Sequence, residues 1–170
     1  MIFKKLIISL PAILFFSTNA FAISDDQITE VLKTANNAEI EAAKVAKSKA
    51  SSTDVKNFAK MMISDHESNL KDEKKMAKSE KIKMTDSDAS KSLNKDAKEK
   101  IKDLKSKSGA EFDKAYMQLQ IDMHTQLLSD LDNKLIPDAK NSSLKSYLTE
   151  TRQHVQEHLS KAQEVQATLQ

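Results

Sequence analysis

The chain has 170 residues, with 27 Lys and Arg against 25 Asp and Glu, two prolines, one glycine and no cysteine. This near-neutral balance argues against a general nucleic-acid binder, which carries a basic surface. The missing cysteines exclude a disulfide framework, and a single glycine leaves no familiar phosphate loop or dinucleotide turn.

The first element is a leader. Lys4 and Lys5 form a positive start, residues 6–16 are apolar, and Ala20-Phe21-Ala22 is a small-x-small cleavage site. Together they predict a secretory signal peptide over residues 1–22, cut after Ala22. The apolar run falls short of the ~20 residues that span a bilayer. Removal takes four of the six Phe and both lysines that carry the net charge of +2. One domain is then expected over residues 23–170, large enough for a real core. With no cysteine at the cut there is no lipid anchor, and nothing after residue 22 is long and apolar enough to cross a membrane. The expected location is periplasmic or secreted, in a bacterial cell envelope, with envelope partners unspecified.

Past the leader, good helix formers dominate and strand signals are absent. A helix is predicted over about 25–50, opened by a capping box of Ser24 and Gln27. Ile28, Val31, Leu32, Ala35, Glu39, Ala42, Ala43 and Ala46 lie along one face at helical spacing. A second helix follows over about 53–79, with Val55, Phe58, Ala59, Met62, His66 and Leu70 as its stripe. The stretch 80–108 is lysine-rich, with interleaved acids and a few apolar anchors, Leu93, Ala97, Ile101 and Leu104. It reads as a solvated crossover carrying a short amphipathic helix near 88–106. Ser108 and Glu111 form a second capping-box pattern, and the helix they open carries Phe112, Tyr116, Leu119, Met123, Leu127 and Leu131 as far as Pro137. The last helix starts near Ser142 and bears Leu144, Tyr147, Leu148, Val155, His158, Leu159 and Ala162.

Four long helices thus come as two pairs with short links, separated by about 30 residues, which a short helix can bridge over ~30 Å. The expected fold is all-α: a ferritin-like four-helix bundle with one long crossover.

The residues that break the apolar stripes are the informative ones. Glu39, His66, His124 and His158 each sit at the centre of a stripe, one per helix, and each falls near its helix midpoint. They are therefore expected to converge at one level of the core. Buried imidazoles and a carboxylate must be satisfied. One solution is a single transition-metal ion such as zinc, copper or iron. The other is a hydrogen-bonded network, with Tyr116, Gln120, Tyr147 and Thr151 as further partners. The di-iron version of the fold is not supported, because no Glu stands three residues before His66, His124 or His158. His154 and His158 are spaced to chelate a surface metal, but His154 reads as a solvated side chain. Asp65 points away from the His66 face, as a surface group or a supporting one. Met61, Met62, Met117 and Met123 read as core filler rather than soft copper ligands. No nucleophile–base pair appears, and no catalytic residue or organic cofactor site is assigned.

The segment Phe58-Ala59-Lys60-Met61-Met62-Ile63-Ser64-Asp65-His66 resembles the FA-x-x-M-x-x-DH segment of domain-of-unknown-function family 4142. Residues 108–116 with His124, the segment His158-Leu159-Ser160-Lys161-Ala162, and Glu39-Ile40-Glu41-Ala42-Ala43 are similar to its other segments, in the same order. The resemblance implies an exported, ferritin-like protein of a kind often labelled outer-membrane, with no established activity. It carries Glu39, His66, His124 and His158 as matching positions. Met123 departs from it, since the family often has Asp before that histidine. Two functions stand as expectations: a periplasmic bundle holding one metal ion at those four residues, or a non-catalytic structural or interaction module built on a buried His–Glu network.

Overall fold

A computed structural model describes residues 22–169 of the chain. The expected signal peptide, apart from Ala22, lies outside the described residues. The elements are α1 (Asp25–Lys49), α2 (Thr53–Ser79), α3 (Asp88–Ser106), α4 (Gly109–Asp130) and α6 (Ser142–Ala167). Between α4 and α6 the chain passes through a π-helical turn, Leu131–Leu135, and a single closing turn, α5 (Ile136–Asp138). No strand occurs among the described residues.

Local chemistry sets most of these boundaries. The Ser24 hydroxyl accepts from the Gln27 amide, and the Gln27 side chain accepts in return from the Ser24 amide. Each satisfies a donor that a helix start otherwise orphans. The capping box expected at Ser108 and Glu111 does not form: the Ser108 side chain makes no cap bond. Gly109 opens α4 in the left-handed region at φ +56°, and the Glu111 carboxylate turns outward to the Lys107 ammonium, 3.8 Å away. Pro137 lies within the closing turn, which ends at Asp138. Proline cannot donate to the preceding turn and its ring crowds the carbonyl four residues back. The π turn just before it is wider, with the Ile136 amide donating back five residues to Leu131.

Helix directions follow from the contacts at their ends. Near the start of α1, the Lys83 and Thr85 amides, just past α2, donate to Asp26, while those of Lys140 and Asn141 donate to the Asp25 carboxylate. At the opposite end, Asp113 of α4 accepts from the amides of Ser51 and Ser52, in the link between α1 and α2. Hence α1 and α6 run one way, and α2 and α4 the other. α3 starts near Asp26 and ends where Lys49 donates to the Lys105 carbonyl, so it returns the chain along the outside of the bundle. Its 19 residues span about 28 Å, the length the crossover requires. Ala97, Ile101 and Leu104 face inward, whereas Lys98, Lys100, Lys102 and Lys105 are exposed.

The core is in two apolar parts. One holds Phe58, Met62, Ile101, Leu104, Phe112, Tyr116 and Met117; the other holds Ile28, Val31, Leu32, Leu131, Leu135, Leu144, Leu148 and Val155. Between them lies a buried polar layer containing Asn36, Glu39, His66, Gln120, His124 and His158. The bundle is thus two greasy plugs separated by a level of imidazoles, amides and carboxyls.

Candidate metal centre

His66 of α2, His124 of α4 and His158 of α6 meet in that layer. Their ring centroids are 6.0, 5.3 and 5.5 Å apart. One nitrogen of each ring lies within 4.8 Å of those of the other two. All three residues are buried, with His124 the most enclosed and His158 the least.

Each ring is held by an acceptor, and that decides its tautomer. His124 Nδ1 lies 2.8 Å from the Gln120 carbonyl; a carbonyl can only accept, so Nδ1 carries the hydrogen and Nε2 the lone pair. His66 Nδ1 lies 2.9 Å from Asn36 Oδ1. The other end of that amide donates to Glu73 Oε2 at 3.1 Å, and the same Oδ1 also accepts from Asn69 Nδ2 at 3.2 Å. His66 is therefore also protonated at Nδ1, with a lone pair at Nε2. His158 is the reverse: its Nε2 lies 3.1 Å from Asp65 Oδ2, which puts the hydrogen on Nε2 and the lone pair on Nδ1. His66 Nε2 and His158 Nδ1 are buried and have no hydrogen-bond partner among the described residues.

Burial pushes His66 well below the ordinary imidazole range, with further depression from His124 and His158. Burial takes His124 down to about 4, against the opposing pull of the Gln120 carbonyl. His158 is lowered by burial and by His124, and partly restored by Asp65. Near neutral pH the three rings are neutral, the form that can donate a lone pair to a cation.

Two buried carboxyls belong to the same layer, Glu39 beside His124 and Glu73 behind the Asn36 amide. Glu39 Oε2 accepts from Gln120 Nε2 at 2.8 Å, and its Oε1 lies 3.7 Å from His124 Nδ1. Desolvation raises this carboxyl to about 7, against the lowering effect of the Gln120 bond. Glu73 has no exposed surface. Burial drives it to about 8, although Asn36 and Lys33 pull the other way.

A model of the family described as a domain of unknown function, DUF4142, matches residues 15–165. The chain belongs to the DUF4142 family. No curated protein matches it. Among solved structures, the "putative secreted protein DUF305" from Streptomyces coelicolor superposes with a TM-score of 0.71 at 10% identity, covering 86% of this chain and 94% of that one. At that identity the likeness concerns the fold alone.

Of the four positions that the sequence singles out in this DUF4142 chain, the structure brings the three histidines together as a group. Glu39 is at the same level, beside the Nδ1 edge of His124 and outside the set of mutually close donor atoms. Gln120 joins Glu39 as expected, while Tyr147 donates instead to the carbonyl of Asn69 at 3.0 Å and to its side-chain oxygen. The Tyr116 hydroxyl is buried without a partner among the described residues, and Thr151 is buried beside Tyr147. Met62 and Met117 are core side chains in the apolar part that holds Phe58. His154 is largely exposed, 3.8 Å from Glu157.

Asp65, Asn36 and Glu73 have roles that a single helix wheel does not reveal. Asp65 does point away from the His66 face, but that direction carries it to His158 on the neighbouring helix. Asn36 lies one turn before Glu39, so stripe spacing could have drawn attention to it, whereas Glu73, two turns after His66, sits in a lysine-rich stretch that hides it.

Proposed function

We propose that this DUF4142 protein binds one transition-metal ion, of the zinc, copper or iron class, in the core of an exported bundle. The ligands are Nε2 of His66, Nε2 of His124 and Nδ1 of His158. The reading rests on one observation: each imidazole N–H is already committed to an oxygen, and the buried lone-pair nitrogens of His66 and His158 have no donor among the described residues. A metal-ligating histidine commonly donates its other N–H to a carboxylate or carbonyl in this way. Zinc bonds to nitrogen of ~2.0–2.1 Å place tetrahedral ligands roughly 3.3 Å apart. Nitrogens within 4.8 Å need only modest ring rotations to reach that spacing.

Glu39 enters this reading as the carboxylate that balances the ion's charge. It stands on the protonated edge of His124, away from the lone pair, and is occupied by Gln120. A purely hydrogen-bonded core accounts for Glu39 with Gln120 and for Glu73 with Asn36, but it leaves the lone pairs of His66 and His158 without donors among the described residues.

Removal of residues 1–22 by a signal peptidase and residence in the periplasm or outside the cell complete the proposal. It is supported by the leader pattern of the sequence and by the lack of any helix among the described residues long and apolar enough to cross a membrane.

Elemental analysis of untagged protein exported by a bacterial host tests the metal reading. The expected result is close to one ion per chain, lost in His66→Ala and in His124→Ala. Protein that stays metal-free after reconstitution with zinc, copper and iron salts overturns it.

A further inference from the structure

The first residue after the expected cleavage point does not trail into solvent. Ile23 is 8% exposed, and its side chain belongs to the apolar part built from Ile28, Leu131, Leu135 and Leu144. Its backbone nitrogen donates to Asp138 Oδ2 at 3.1 Å, across 115 positions of chain. Asp138 ends the closing turn after α4, so this bond ties the start of α1 to the junction between α4 and α6.

We propose that cleavage after Ala22 creates an ammonium group at Ile23 that docks on the Asp138 carboxylate and locks the mature bundle. The proposal rests on the expected cleavage site and is independent of the metal reading. Before the cut, the Ile23 nitrogen is an amide with one hydrogen and no charge. After it, the same atom carries three hydrogens and a positive charge at neutral pH, because α-amino groups titrate near ~7.7–8.0. The Ile23 side chain is already anchored in the core, so the new charge is held at the carboxylate without further ordering of the chain. A hydrogen bond between charged groups is roughly twice as strong as a neutral one.

The surroundings suit a cation. Asp25 and Asp26 stand in the first turn of α1, and Asp138 faces the nitrogen directly. Lys140 is the opposing charge, and its backbone amide is held by Asp25. The acids offset the unfavourable placement of a cation at a helix start. The apolar socket for Ile23 and the carboxylate beside its nitrogen are separate features that agree on one residue. Ala22, by contrast, is exposed.

The test compares the mature protein beginning at Ile23 with a form that keeps Ala22, each with Asp138 and with Asp138→Asn. The Ile23 form is expected to melt about 3 °C higher than the Ala22 form at pH 7, and Asp138→Asn should erase the difference. A partner carboxylate raises the folded-state value of the amine. The extra stability should therefore be full below pH ~7.5 and vanish as pH climbs past ~9. Equal melting of the two forms at pH 7, or a difference that survives Asp138→Asn, overturns the proposal. So does an exported protein whose N-terminal sequence begins anywhere but Ile23.

Discussion

Glu73 is a carboxyl with no exposed surface, reached by one donor, the Asn36 amide, and with its second oxygen unpartnered among the described residues. Its raised value of about 8 means that folding favours the protonated form. The folded state then holds more protons than the unfolded one between the ordinary carboxyl value and about 8, so stability falls as pH rises through that window. Glu73→Gln keeps the shape and removes the charge. It is expected to raise the melting temperature of the metal-free protein by roughly 5 °C at pH 8 and by little near pH 4.5, as a pair of thermal melts would show. Glu73 was hard to notice in the sequence because it lies among Lys71, Lys74 and Lys75, in a stretch that reads as solvated. The histidines were legible because each interrupts an apolar stripe. What a single helix pattern could not supply was the partner of each ring on another helix, since Asn36 and Asp65 reach His66 and His158 only once the helices are packed; the Gln120 carbonyl, four residues before His124, lies on its own helix.

Among the elements, the turn from α1 to α2 is held by a residue from a third helix. Asp113, from the first turns of α4, takes the Ser51 and Ser52 amides at 3.0 and 2.8 Å and also accepts from the Ser51 hydroxyl. It is 2% exposed, so a single carboxylate closes the start of α2 and pins α4 against it. Asp113→Ala leaves buried donors unmatched and is expected to cost about 2–3 kcal/mol, read as a lower urea midpoint with an unchanged slope. The helix limits of α2, α3 and α6 were legible because caps and apolar spacing agree there. The π turn at Leu131–Leu135 was not: Pro137 announces an ending, but how the backbone widens before it depends on seating Leu131 and Leu135, both buried, in the core. The failed box at Ser108 has a similar cause, since the left-handed Gly109 and the nearby Lys107 draw the expected partners apart.

At the scale of the whole molecule, two apolar halves enclose a polar layer whose groups pull stability in opposite directions with pH. The imidazoles are depressed below their ordinary 6.5, with His124 at about 4, so their contribution is lost as pH falls through that range. Glu39 and Glu73 are raised from 4.5 to about 7 and 8, so theirs is lost as pH rises. Just below 6.5 three groups oppose two, and above 6.5 only the carboxyls act. The stability of the metal-free protein is therefore expected to peak near pH ~6.5 and to decline on both sides, in melts recorded with chelator from pH 4 to 9. The bundle and its crossover were legible from helix count and link lengths alone, whereas the division of the core into two parts emerges only from packing. The central claim is that three imidazole lone pairs are presented to one ion, and it is tested most directly by long-range 1H–15N correlation spectra of the histidine rings before and after one equivalent of zinc. The expected result is that His66 Nε2, His124 Nε2 and His158 Nδ1 move together to metal-bound positions while His154 stays in place; ring resonances that do not respond to zinc, or a response confined to His154, would contradict it.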